Sequence, residues 1–301
     1  MKVSIVTPSF NQGEFIERTL ESVASQREFL PEGIELTHVV YDGGSADNTL
    51  DILKKHSNQI TWFSEADNGQ AHAVNKGLMH TDGDIIGWLN SDDIYYPQAV
   101  KKVVDFFQKN PEIDVVYGKA FHIDLFDKPY EEYPTANWDA KLIKEECFIC
   151  QPALFFRRKI LKVTGLLDES LDYCMDYEFW VRLSCMGIKF AYLEEELAGS
   201  RMYPENKTLS SKIPVHKEIN DMLRKHLGAV PMRAILNYAY AVVNEEINNG
   251  EEPIKFAKKL LQVSVQSAKN WNGGIFIFLS CAILHWSRGF MQGRHRLWRK
   301  A

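Results

Sequence analysis

Val3 to Pro8 (VSIVTP) is a short, mostly apolar run closed by polar residues, the pattern of a buried strand. Phe15, Thr19, Leu20 and Val23 then recur at helical spacing. Glu35 to Tyr41 predicts a second strand, ending at the turn Asp42-Gly43-Gly44-Ser45. Asp47 is placed to cap a helix carrying Leu50 and Leu53. Ile60 to Phe63 predicts a third strand, followed by a helix from about Gln70 to Met79. Asp84 to Leu89 predicts a fourth, running into Asn90-Ser91-Asp92-Asp93. After Pro97 a helix carries Val100, Val103, Val104 and Phe107, and Asp114 to Tyr117 opens a fifth strand. Strand and helix in alternation predict an α/β fold with a mostly parallel sheet flanked by helices. In such sheets ligands bind beyond the carboxyl ends of the strands. The first four strands here end in Ser9 and Asn11, in Asp42, in Glu65 and Asp67, and in Asp92 and Asp93. Four polar strand ends on one edge describe a site rather than a core.

From about Pro214 the pattern turns wholly helical, over 216–228, 231–247 and 253–269. We therefore expect an α/β domain over 1–213 and a helical extension over 214–301. The apolar run Ile275 to Leu284 is shorter than the roughly 20 residues a bilayer span needs.

Charge sharpens this division. The chain of 301 residues has a net charge of -5, yet no Asp or Glu follows Glu252, and residues 253–301 carry nine Lys or Arg. The first 252 residues therefore sum to -14, since -14 plus 9 is -5. An acidic body is repelled by nucleic-acid phosphates and argues against that class of partner. The basic tail, with Trp271, Trp286 and Trp298 beside the apolar run, suggests a peripheral membrane contact through 270–301. Packing of that run as a helical cap is the competing reading. Five cysteines and no secretory leader read as reduced thiols, and with the basic tail they lead us to expect a cytoplasmic location extending to the inner face of the membrane.

Asp92-Asp93 is the sharpest chemical feature. Two adjacent carboxylates repel each other unless a positive charge lies beside them. A hard divalent cation holding a diphosphate supplies that charge, and a plain helix N-cap is the competing reading. Asp42 reads as a turn residue or as an acceptor for a nucleobase imino N–H. Lys76 is a surface lysine or a cation near phosphate. Asp176 is a first-turn acid favoured by the helix dipole, or a general base for a sugar hydroxyl. Arg201 to Thr208 reads as a polar loop able to close over a diphosphate. Cys147-Phe148-Ile149-Cys150 has no second pair and reads as buried thiols. Neither a dinucleotide-binding G-x-G-x-x-G, nor a P-loop, nor a G-x-S-x-G elbow is present.

The order and spacing of these pieces is more specific than any one of them. Val6-Thr7-Pro8-Ser9-Phe10-Asn11, Asp42-Gly43-Gly44-Ser45, Glu65-x-Asp67-Asn68-Gly69-Gln70, Asn75-Lys76-Gly77, Gly83 to Asp93, the Asp176 block and the Arg201 loop follow one another over about residues 1–210. In this the sequence resembles the family 2 inverting glycosyltransferases of GT-A fold. The resemblance implies a transferase moving a sugar from a nucleoside-diphosphate sugar, UDP- first and dTDP- next, to a saccharide or lipid-linked acceptor, as in polysaccharide assembly. It implies that Pro8 and Asn11 line the nucleotide pocket, Asp42 holds the base, and Lys76 lies near base or diphosphate. Asp92 would contact the ribose, Asp93 would bind Mn²⁺ or Mg²⁺, and Asp176 would be the catalytic base. Arg201 and Lys207 would belong to the closing loop. The matching motifs add Ser9, Gly43, Asp67, Gln70 and Asn90 to the nucleotide-sugar site.

Two positions depart from the pattern. Met175 stands where many relatives have Glu, and Tyr203 stands where relatives often have His two residues after the Arg. These departures keep a non-catalytic nucleotide-sugar-binding scaffold as an alternative. A nucleotidyltransferase is the other, although the glycine-rich basic loop expected after its first strand is missing from Thr7 to Asn11.

Overall fold

A computed structural model describes residues 1–204, 206, 211–248 and 252–274. Lys207 and the apolar run 275–284 lie outside the described residues. The chain divides into two compact units, residues 1–143 with 147–210, and residues 144–146 with the chain from 211 onward.

The first unit is built on a nine-stranded mixed sheet. Its strands are β1 (Lys2–Ser9), β2 (Glu35–Asp42), β3 (Thr61–Ser64), β4 (Ile85–Trp88), β5 (Ile94–Tyr95), β6 (Val115–Ile123), β7 (Pro129–Glu132), β8 (Leu154–Arg157) and β9 (Phe190–Arg201). The order is β3-β2-β1-β4-β8-β6-β9-β5, with β7 on β6. Strands β3, β2, β1 and β4 are all parallel, and β6 and β9 run parallel to each other. The reversed strands are β8, β7 and β5. The helices are α1 (Ile16–Ala24), α2 (Thr49–Lys55), α3 (Gln70–His80), α4 (Ala99–Lys109), α5 (Leu161–Thr164) and α6 (Met175–Cys185).

The hydrophobic pattern accounts for the parallel half. Strand β1 is buried from Val3 to Ser9, as a central strand covered on both faces must be. Val100, Val103, Val104 and Phe107 turn one stripe of α4 into the core formed by Val3, Ile5, Ile85, Val116 and Phe155. A second cluster joins Ile16 and Leu20 of α1 to Val40 and Leu53. Helix α3 lies so close to β1 that a Cβ on Gly77 would stand 2.2 Å from a methyl of Val6, so only glycine fits there. Asp47 precedes the N-cap of α2, which is Asn48, and its carboxylate accepts the Thr49 N–H at 3.0 Å and the Gly13 N–H at 2.9 Å. It thus ties the α2 start to the loop after β1.

In the second unit the described helices are α7 (Lys212–Leu227), α8 (Met232–Glu246) and α9 (Pro253–Asn272). Gly228, at φ +76°, ends α7 in the left-handed region that glycine tolerates best. Asn272 closes the unit by pairing both ends of its amide with the Val230 backbone, at 2.8 and 2.9 Å. Val243, Ile247 and Phe256 form the core between α8 and α9. No described helix is long and apolar enough to cross a membrane.

Candidate active site

The register fixes the site. Ser9 pairs with Asp42 and Asp42 with Ser64, so β1, β2 and β3 end level with one another. Asp42 is buried and its carboxylate is largely occupied by its own loop. One oxygen accepts from Gly44 N–H at 3.0 Å, Ser45 N–H at 2.9 Å and Ser64 hydroxyl at 2.7 Å, and the other takes the Ser45 hydroxyl. Asn11, in the left-handed region at φ 52°, receives on its side-chain oxygen the Ala46 N–H at 2.9 Å and donates its own N–H to Ser45 at 2.7 Å. The loops after β1 and β2 are therefore one hydrogen-bonded rim. Ser9 is buried there with its hydroxyl unpartnered. Gly43 lets Asp67 approach: a Cβ would stand 2.8 Å from its carboxylate, which also accepts the Gly69 N–H at 2.8 Å.

Lys76, nearly two turns into α3, is paired with Glu65 at 2.8 Å. Gln70 and Trp88 both donate to the side-chain oxygen of Asn90 at 2.9 Å, leaving its NH₂ as the end that faces other partners.

Asp92 and Asp93 follow β4. Asp93 is 3% exposed, and its carboxylate accepts the backbone N–H of Arg201 at 2.8 Å. Burial, with the negative charge of Asp92 behind it, pushes its carboxyl well above the usual carboxylate range, against a weaker pull from Arg201 and Ser200. Asp92 is also raised by burial, and the Tyr203 hydroxyl, donating to it at 2.9 Å, pulls it back. The Thr19 hydroxyl lies between the carbonyls of Ser91 and Asp93, at 2.9 and 2.7 Å, and fixes the turn.

Arg201 differs from expectation. It is the last residue of β9 rather than part of a loop, and it is fully buried. Its guanidinium donates to the carbonyl of Asp92 at 2.8 Å, the carbonyl of Asp124 at 2.6 Å and the carboxylate of Asp127, and it stacks 5.0 Å from the Phe15 ring centroid. Such a fork, spent on the protein, acts as a bolt between the strand ends and the β6–β7 turn. The reason is the register: Arg201 pairs with Ile123 at the end of β6, inside the sheet.

Asp176 lies in the first turn of α6, half-buried. The helix is held by Arg182, which forms a two-pronged pair with buried Glu178 at 2.8 and 2.9 Å and donates to the carbonyls of Thr164 and Leu166. Asn75 of α3 grips the same segment through the Leu167 N–H and carbonyl, at 2.9 and 3.0 Å. Burial pushes the Cys150 thiol far up, and the negative charges of Asp93 and Asp176 both add to that. Cys150, just before β8, thus feels the charge of both carboxylates.

Sequence patterning placed Thr19 on a helix face and Cys150 among buried thiols without tying either to the site, and gave no sign of Gln151 or Ser200. Gln151 donates to the Trp88 carbonyl at 2.6 Å while its own side-chain oxygen is buried without a partner. Its position just before β8, a strand the periodicity does not predict, is the only sequence cue.

A divalent cation fits this donor set in part. The raised, mutually repelling Asp92 and Asp93 call for positive charge. No third His, Cys, Asp or Glu joins them among the described residues, and phosphate oxygens and water are ligands a hard cation of this kind takes readily.

Residues 4–165, more than half of the chain, match the family model described as glycosyl transferase family 2. The chain belongs to that family. An uncharacterized glycosyltransferase of Rickettsia typhi is 26% identical over 220 residues, which cover 68% of this chain and 65% of that protein. Chondroitin synthase of Escherichia coli is 28% identical over 225 residues, 72% of this chain and 31% of that one. The chain thus spans slightly under two-thirds of the first relative and under one-third of the second. Among solved structures, S. aureus TarS in complex with UDP-GlcNAc superposes with a TM-score of 0.60 at 16% identity, covering 89% of this chain and 82% of that one. The mannosyltransferase PcManGT from Pyrobaculum calidifontis, in complex with GDP-Man and Mn²⁺, gives 0.60 at 16% identity, covering 90% and 88%. The fold of this family member is therefore that of the GT-A glycosyltransferases.

Proposed function

We propose that this family 2 protein transfers a sugar from a nucleoside-diphosphate sugar to a hydroxyl of a saccharide or lipid-linked acceptor, with inversion. A uridine diphosphate sugar is the favoured donor. The observation that carries the reading is Asp93, buried in the turn after β4 and raised by burial and by the charge of the half-buried Asp92 beside it. The family membership and the nucleotide-sugar complexes of structural neighbours support it.

The rim of Ser9, Asn11, Asp42, Gly43 and Asp67 would receive the nucleoside, with Pro8 beneath it. Gln70, Lys76 and Asn90 would flank the phosphates. Asp92 and Asp93 would hold Mn²⁺ or Mg²⁺. Such a cation, when bound, offsets the charge that grows on the departing diphosphate. Asp176 would accept the proton of the acceptor hydroxyl as its oxygen attacks the anomeric carbon opposite the leaving group. One base and one displacement give inversion. Arg201 would act by fixing the Asp92–Asp93 turn rather than by touching phosphate. Lys207, six residues further along the chain, would supply a cation.

The test is a thermal-shift panel of UDP, dTDP, GDP, CDP and ADP, each with Mn²⁺ and with chelator. Ligand at a hundred times its dissociation constant stabilises a fold by about 2.7 kcal/mol. A metal-dependent shift with one pyrimidine diphosphate is expected. No shift with any nucleotide would defeat the proposal. The Tyr203–Asp92 hydrogen bond favours a second reading, a nucleotide-sugar-binding scaffold without turnover. Slow release of UDP from a bound UDP-sugar, abolished by Asp93→Ala, would exclude it.

A further inference from the structure

Helix α9 has two apolar faces. One is inward: Phe256, Ala268, Leu260 and Val263 pack in the second unit. The other is outward. Ile254 is 73% exposed and Leu261 is 59% exposed. Ala257 is exposed and Val265 half-exposed. Positions 254, 257, 261 and 265 stand three, seven and eleven residues along, so they form one stripe. Lys255, Lys258 and Lys269 flank that stripe on one side, and all are exposed. Ile254 and Leu261 are the two large exposed apolar side chains of this stripe, joined by the smaller Ala257 and the half-buried Val265.

The charge around the stripe selects the partner. The helix itself, from Pro253 to Asn272, holds no acid and four Lys. Lys255 pairs with Glu252 at 3.0 Å and Lys259 with Glu246 at 3.0 Å. Among the described residues no acid lies within ion-pair distance of Lys258 or Lys269, on either side of Leu261. A second copy of this helix would bring like charges together. An anionic lipid surface meets both needs, with apolar side chains entering the headgroup boundary and lysines meeting the phosphates.

We propose that the outward face of α9, centred on Ile254, Leu261 and Lys258, docks the chain on an anionic membrane surface. The contact uses a folded helix and is independent of the glycosyl-transfer reading.

The test is co-sedimentation of the full chain with phosphatidylcholine vesicles, with and without phosphatidylglycerol. Binding only to the anionic vesicles, weakening as salt rises, is expected. Ile254→Ser with Leu261→Ser should abolish it, and Lys258→Ala or Lys269→Ala should each weaken it by about fivefold. These positions are exposed, and unchanged melting temperatures would establish that the variants fold. The lysine variants alone serve if the serine pair does not. Equal binding by parent and variants would overturn the proposal, since residues 275–301 would then carry the contact. No binding to anionic vesicles would overturn it too, as would a dimer that Leu261→Ser dissolves.

Discussion

The backbone N–H of Arg201 donates to the carboxylate of Asp93 at 2.8 Å. The last residue of β9 and the turn after β4 are thereby held as one piece, although 108 positions separate them. The Arg201 side chain repeats the connection through the Asp92 carbonyl and extends it to Asp124 and Asp127. Asp127 adopts φ +65°, an uncommon conformation for a non-glycine residue, and also accepts from Arg18 at 3.1 Å. The Asp92–Asp93 geometry is therefore set from a distance.

Replacing this bolt should loosen the fold and the site together. Arg201→Met takes the donor from the Asp92 and Asp124 carbonyls and leaves Asp127 only Arg18, at a cost on the order of 3 kcal/mol. Arg201→Lys keeps the charge but loses the fork, and should fall between. Urea unfolding measures both. Unchanged midpoints would mean that the buried guanidinium contributes little, and that Arg201 has a role in ligand contact instead.

Asp176→Asn should remove transfer while leaving donor binding intact, because the amide cannot take up the acceptor proton. A loss of about 10²- to 10⁴-fold in turnover is expected for a lost general base. The Arg182–Glu178 pair holds α6 independently of the Asp176 charge, so the variant should melt with the parent. Radiolabelled sugar transfer, read beside the nucleotide-induced thermal shift, separates the two effects. Transfer at the parent rate would show that another group is the base.

The parallel half of the fold was legible because each strand is an apolar run that stops at a polar residue. Val3, Val39 and Ile85 announce their strands, and Asp42 and Asp92 mark where they end. The other half was not. Strand β5 has two residues, and β7 is exposed at every position, so neither shows a period. Strand β9 carries Glu194, Glu195 and Glu196 in its middle and reads as a polar connection; its pairing with β6 comes from tertiary context. Arg201 was misread as a loop residue for that reason. The candidate carboxylates were legible as residue types, whereas Gln151, which bonds the Trp88 carbonyl, carries no sequence signature.

His38 gives the fold a pH dependence of known sign. It is fully buried, bonded to the Thr7 hydroxyl at 2.9 Å, and burial depresses its pKa to about 3. The unfolded chain takes up a proton near pH 6.5, while the folded chain does not until about pH 3. Stability is therefore present above pH 6.5 and is lost as the pH falls toward 3. Between pH 6.5 and 5 this one group should cost about 2 kcal/mol. His38→Gln should flatten that slope in urea unfolding, whatever it does to the absolute stability. An equal slope in the variant would assign the acid sensitivity to other groups.

Asp93 should act in the opposite direction. Its folded-state pKa is raised by burial and by Asp92, so the folded chain holds a proton that the unfolded chain has released. That preference stabilises the fold at low pH and is lost as the pH rises through the folded value. In chelator, Asp93→Asn should therefore melt higher than the parent at pH 8, with the gap closing as the pH is lowered. The same variant should lose the Mn²⁺-dependent shift with UDP, because a neutral amide is a poor ligand for a hard cation. A stabilised fold that no longer responds to metal and nucleotide is the signature of a carboxylate kept for binding at the expense of stability. A variant that melts below the parent at pH 8, or still responds to Mn²⁺ and UDP, would remove Asp93 from the metal site.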